Sequence, residues 1–229
     1  MGFSAGAQLA LRYSIVRHGA ASIGGPTLRV IVSDPGSFTY LHSKRPSSVC
    51  RPLRNTGVAH TCTTFDETPP EAVTCPNYDT YKYGLSGGFN ISLYTAPLDE
   101  DKAAVAALID KFSKRDVRYI FGSADVCNCN TNGFANEALC SHADLTCTPD
   151  VSGVVGCCDT FPDDLVSNKV EVGCEAMLTG SNRLQRGLNF VAYLTATYPG
   201  FAPHVGAFVG GHDASAMYAS QSFVEWALT

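Results

Sequence analysis

Gly2-Phe3-Ser4-Ala5-Gly6 is the stretch on which the reading of this chain turns. A G-x-S-x-G pentapeptide followed at once by a proline-free apolar segment describes a sharp strand-to-helix turn that lifts the serine hydroxyl clear of the backbone. Gly2 and Gly6 fit it because strand and helix approach closely there. The pattern alone is weak in a chain with 21 glycines; its surroundings give it meaning. Ala5 to about Arg17 is rich in Ala and Leu and places Leu9, Tyr13 and Val16 on one helical face, which predicts the helix that should follow such a turn.

Working outward, Gly19, Gly24 and Gly25 break that helix, and Leu28-Arg29-Val30-Ile31-Val32-Ser33 is a β-branched run closed by the turn residues Asp34-Pro35-Gly36. A second helix is expected from Leu98, where Asp99, Glu100 and Asp101 precede Val105, Leu108, Ile109 and Phe112, and Lys111, Lys114 and Arg115 close the segment. Acid in front and base behind complement the helix dipole. Val117–Phe121 reads as a strand, Gly122-Ser123-Ala124-Asp125 as its turn, and Cys174–Leu194 as one helix with Leu184, Leu188 and Val191 on one side and Glu175, Arg183 and Arg186 on the others. Val205–Val209 is the last strand, Gly210-Gly211-His212-Asp213 a loop, and Ser215–Leu228 a closing helix. Alternating helices and strands predict an α/β fold, a parallel sheet with crossover helices.

Two stretches lack this pattern. Residues 41–97 carry Pro, Ser, Thr and three cysteines and are expected to form a cysteine-rich cap inserted into a core made of 1–40 and 98–229. Tyr78, Tyr81, Tyr83 and Phe89 are expected to pack that cap together, with lining a substrate mouth as the alternative. The second irregular stretch, about 126–170, holds six more cysteines.

The ten cysteines, an even number in loop-like sequence, argue for disulfides and hence a secreted protein or an endomembrane lumen. Asn90-Ile91-Ser92 is a glycosylation triplet compatible with that route, and no secretory signal is present in this chain. Zinc on Cys127, Cys129, Cys140, His142 and Cys147 is the alternative, but paired C-x2-C spacing is lacking, and neither metal nor cofactor is expected. A net charge of −5 without a Lys/Arg stripe argues against nucleic acid, and no apolar run reaches the length of a membrane span.

The chemistry follows from residue order. A serine hydroxyl is a poor nucleophile at neutral pH and needs a base to take its proton and an acid to orient the base. Ser4, Asp125 and His212 occur in the order Ser, Asp, His, Ser4 in the elbow and the other two just beyond predicted strands. Asp34 also follows a strand and is the rival acid, although Asp34-Pro35-Gly36 is adequately explained as a turn. His18, His42, His60, His142 and His204 lack the glycine-loop setting of His212, and Asp213 is expected to cap the final helix.

Gly-x-Ser-Ala-Gly followed by Gln8-x-x-x-Arg12-Tyr13, and Gly211-His212-Asp213 before the last helix, resemble the corresponding blocks of uncharacterised α/β-hydrolase-fold proteins from eukaryotic microbes. So do Val30–Leu41, Cys75–Leu85, Val117–Cys127 and Cys174–Tyr193, so that the likeness covers most of the chain. The resemblance implies a serine hydrolase with Ser4 as nucleophile, Asp125 as acid, His212 as base and the Ala5 amide as an oxyanion donor, acting on a small-molecule or peptide acyl substrate. It does not imply which substrate. It also implies strands ahead of the elbow, and a loop among them that gives a second oxyanion amide. The chain is therefore expected to be the carboxyl-terminal part of such a fold, a partial α/β-hydrolase sheet, with an inactive remnant or a binding module as the alternative.

Overall fold

The computed structural model describes residues 1–16, 29–50, 62–86, 102–123, 125, 173–180 and 182–228. The elements that build the core are β1 (Gly2–Phe3), α1 (Ala5–Val16), β2 (Arg29–Ser33), α2 (Lys102–Ser113), β5 (Asp116–Gly122), α3 (Cys174–Met177), α4 (Arg183–Thr197), β6 (His204–Phe208), α5 (Ala214–Ala219) and α6 (Gln221–Leu228). Two short strands, β3 (Arg45–Pro46) and β4 (Phe65–Asp66), lie between β2 and α2 in the chain and pair antiparallel.

The main sheet has four strands in the order β1-β2-β5-β6, every pair parallel. Parallel neighbours cannot be joined by tight turns, so each pair is bridged by a crossover containing a helix. The central strands β2 and β5 are apolar without alternation at Val30–Val32 and Tyr119–Phe121 because both faces are covered there, whereas β6, at the edge of the sheet, exposes His204, Val205 and Ala207. On one face Val30, Val32, Val117, Tyr119 and Phe121 pack with Ala7, Leu11 and Ile15 of α1, Leu108 and Phe112 of α2, and Phe190, Tyr193 and Leu194 of α4. On the other, Ile31, Ile120 and Phe208 meet Met217 of α5 and Phe223 and Trp226 of α6.

The registers pair Phe3 with Ser33, Ser33 with Ile120 and Gly122 with Phe208, so β1, β2, β5 and β6 finish along one edge. Whatever follows the strands is thereby delivered to that edge. In open α/β sheets this carboxyl edge is where sites are built.

Four expectations about helices need correction. Leu9 and Tyr13 of α1 are 71% and 43% exposed, while Ala7, Leu11, Ser14, Ile15 and Val16 are buried. The helix is apolar nearly all round, so periodicity alone does not choose the face that meets the sheet. The single helix expected over 174–194 is two. Gly180, at φ 147°, interrupts it, and Asn182 starts α4 anew by accepting the Gln185 N–H at 2.9 Å. Within α4 the charges face inward: Arg183 and Arg186 are 2% and 0% exposed, and Leu184, Leu188 and Val191 are only partly covered. The closing helix likewise breaks at Ser220 into α5 and α6.

Residues of the 41–97 stretch that are described pack on the core. Phe65 contacts Tyr193 of α4, and Arg45, fully buried, donates to the carbonyls of His42, Lys44, Tyr78 and Tyr83 and to the Asp79 carboxylate. Tyr78 and Tyr83 are buried, and Tyr81 is half-exposed near the Arg12 guanidinium. Disulfides Cys50–Cys62 and Cys75–Cys174 fasten the stretch, the second to α3. Both are consistent with an oxidising compartment. No helix among the described residues is long and apolar enough to cross a membrane. The 126–170 cysteines, with the alternative zinc ligands, lie outside the described residues, as do Phe89 and the Asn90 triplet.

Candidate active site

Ser4 sits between β1 and α1 with φ 54°, in the left-handed region that a non-glycine residue occupies only when its surroundings hold it there. Two bonds do so. The Ser4 N–H donates to Ser33 O at 2.9 Å, anchoring the turn to β2, and Ser4 O accepts the Gln8 N–H at 3.1 Å, starting the helix. Gly2 is required by contact: a Cβ there would stand 2.2 Å from the Gly6 carbonyl group. Gly6 differs from expectation, since a Cβ on it meets nothing within 4 Å among the described residues. Its backbone, not its missing side chain, makes the close approach.

Ala5 is the first residue of α1. The leading amides of a helix have no carbonyl one turn earlier to bond, so Ala5 N–H is left for other acceptors beside the serine oxygen.

His212 arrives from the loop after β6. Its Nε2 lies 2.9 Å from Ser4 Oγ and its Nδ1 2.9 Å from Asp125 Oδ2. A carboxylate only accepts, which fixes the proton on Nδ1 and leaves Nε2 to accept from the serine hydroxyl. The ring also packs on Phe3, centroids 4.6 Å apart, which holds its plane. The loop reaches this position because β5 ends in glycine: a Cβ on Gly122 would stand 2.6 Å from Gly211 O and 2.9 Å from Gly210 O. Asp213 caps α5 as expected, its Oδ1 accepting the Ser215 and Ala216 N–H groups at 2.8 and 3.1 Å.

Asp125 lies just past β5 with its backbone tied at both ends. Its N–H donates to Gly122 O at 3.1 Å, and its carbonyl accepts the Leu184 N–H of α4, also at 3.1 Å. Its side chain is 1% exposed, and Oδ1 faces Arg183 Nη1 at 3.6 Å, an ion pair longer than a hydrogen bond.

Asp34 directly follows β2 and is fully buried, with φ 47°. It does not hold His212 Nδ1; that partner is Asp125. Its Oδ1 accepts the Gly122 N–H at 3.0 Å. Burial raises the Asp34 carboxyl well above the usual carboxylate range and the charge of Asp125 adds to this, while the Gly122 N–H and Arg183 pull the other way. The loop that carries it is clamped from two sides. Arg186 Nη1 donates to Gly36 O at 2.7 Å, and Ser37 Oγ bonds Gln8 Oε1 at 2.9 Å and Arg12 Nη2 at 2.8 Å.

The structure thus brings Ser4, His212 and Asp125 into one hydrogen-bonded line and sets Ala5 beside it. His42 and His204 stand elsewhere, against Tyr198 and Trp226, and His18, His60 and His142 lie outside the described residues. Sequence reasoning missed Phe3, Gly122, Arg183 and Arg186. Only Gly122 carried a signal, as a glycine closing a strand beside a glycine-rich loop.

No protein-family model matches the chain, and neither the curated proteins nor the solved structures contain a match to it. The arrangement is suited to moving a proton from a hydroxyl to an imidazole whose other nitrogen is held by a buried carboxylate.

Proposed function

We propose that the chain carries the nucleophile, base and acid of a serine hydrolase of the α/β-hydrolase type, cleaving an ester or related acyl bond in a small-molecule or peptide substrate. The reading rests on one observation above all: two consecutive 2.9 Å contacts, Ser4 Oγ to His212 Nε2 and His212 Nδ1 to Asp125 Oδ2, joining residues that follow three different strands. Adjacent supports are the left-handed backbone at Ser4 and its position at the head of a helix.

In this mechanism Ser4 Oγ attacks the acyl carbon as its proton passes to His212 Nε2. Asp125 steadies the imidazolium through Nδ1–H. The oxygen of the tetrahedral intermediate takes up negative charge and is met by Ala5 N–H. His212 then returns the proton to the leaving group, and the acyl-serine is released when water repeats the sequence in reverse. No metal or redox group takes part in any of these steps.

Turnover of a series of p-nitrophenyl acyl esters tests this. Hydrolysis is expected from the wild type, falling at least about 10³-fold in Ser4→Ala and in His212→Ala. Turnover equal to wild type in either variant overturns the assignment.

A further inference from the structure

The acid end of the proton line contains one carboxyl group more than the mechanism uses. One oxygen each of Asp34 and Asp125 and a ring nitrogen of His212 lie within 4.8 Å of one another. Both aspartates are sealed from water, at 0% and 1% exposure. Asp34 Oδ2 and Asp125 Oδ1 are buried atoms without a hydrogen-bond partner among the described residues.

Two ionised carboxylates so placed would repel each other in a medium where charge is poorly screened, leaving two acceptor atoms unmet. One proton between them removes both difficulties. It belongs on Asp34. Asp125 has the charged or chargeable neighbours, with His212 Nδ1 at 2.9 Å and Arg183 Nη1 at 3.6 Å, whereas the hydrogen bond to Asp34 is a neutral amide. Burial also raises the Asp34 carboxyl well above its ordinary value. Among the described residues, Asp125, Arg183 and His212 are the ionisable groups that face it.

We propose that Asp34 is a positioning residue: as a neutral acid it donates from Oδ2 to Asp125 Oδ1, so that one Asp125 oxygen is held by Asp34 while the other orients His212. The pair then carries a single negative charge, balanced by Arg183. The role rests on the hydrolase reading given above, but the protonation itself does not, and it is measured without turnover.

Asparagine is the discriminating substitution, because its amide oxygen keeps the Gly122 bond and its NH2 replaces the donor, while it carries no charge. If Asp34 were ionised, Asp34→Asn would remove a negative charge within 4.8 Å of the imidazole and lower its titration midpoint by about 0.6 pH unit even at the screening of water. In the protonated account the midpoint moves by less than about 0.3 unit, half that bound. The experiment is an NMR titration of the His212 ring in the full chain, assigned through His212→Phe, together with infrared spectra at neutral pH. The account expects an unmoved midpoint in Asp34→Asn and, in the wild type, a protonated-carboxyl stretch that the variant lacks. A midpoint lowered by about 0.3 unit or more overturns it, and so does a wild-type spectrum without that stretch, which decides the matter even if the variant does not fold. Absence of esterase activity beside the expected spectra would count against the hydrolase reading and leave the proton on Asp34 in place.

Discussion

Gly122→Ala puts the seating of His212 under direct test. The added Cβ would stand 2.6 Å from Gly211 O, 2.9 Å from Gly210 O and 2.9 Å from Phe208 Cζ. Ordinary contact begins near 3.4 Å, so the carbonyl next to His212 must retreat by 3.4 − 2.6, about 0.8 Å. Added to a 2.9 Å bond, a shift of that size takes His212 Nε2 to about 3.7 Å from Ser4 Oγ, beyond hydrogen-bond reach. Misplacement by about 1 Å costs on the order of 10²-fold in rate, and overpacking of this kind costs about 1–3 kcal/mol in stability. The assay pairs kcat/KM on an acyl ester with the thermal midpoint. A loss of about 10²-fold with most molecules still folded is expected. Activity within twofold of wild type, in a protein whose midpoint is also unchanged, would refute the argument that the glycine seats the loop.

Asp34→Asn also bears on stability. A carboxyl whose folded pKa is raised favours the folded state while protonated in both states, and that contribution is lost as pH rises from the unfolded value of 3.8 towards the folded one. The variant should therefore melt above wild type at pH 7, with the difference shrinking towards pH 3; a constant difference across that range would contradict it. At the elbow, Gly2→Ala forces a Cβ to 2.2 Å from Gly6 and should cost about 3 kcal/mol or more in urea unfolding, whereas Gly6→Ala enters open space and should gain up to about 1 kcal/mol from helix propensity. Equal effects would mean that the two glycines have the same task. Opening Cys75–Cys174, which closes a separation of 99 residues, should lower stability by about 3–5 kcal/mol in Cys75→Ser, read by chemical denaturation under non-reducing conditions, and an unchanged midpoint would show that the bridge does not tie the loop.

The strands were legible because parallel strands covered on both faces must be apolar at successive positions, which is how Val30-Ile31-Val32 and Tyr119-Ile120-Phe121 read. The positions of Asp125 and His212 just beyond strands were legible for the same reason, since finding the strand ends finds the sheet edge, whereas Ser4 was marked by its Gly-x-Ser-x-Gly setting. Choosing Asp125 over Asp34 was harder: both follow strands that are neighbours in the sheet, and only the contact to Nδ1 separates them. Arg186 could not be read. Helical periodicity sends a charge outward, and its inward turn depends on carbonyls at Gly36 and Gly180 that no local pattern marks. The exposed side of α1 failed for the opposite reason, an excess of apolar residues on every face.

The central claim, that Ser4 is a nucleophile activated by His212, is tested most directly by treating the protein with a fluorophosphonate and mapping the adduct by mass spectrometry. The account predicts one phosphonylated residue, Ser4, and no labelling in Ser4→Ala or in acid-unfolded protein. Labelling that persists in Ser4→Ala, or a folded wild type that takes up no probe, would contradict it.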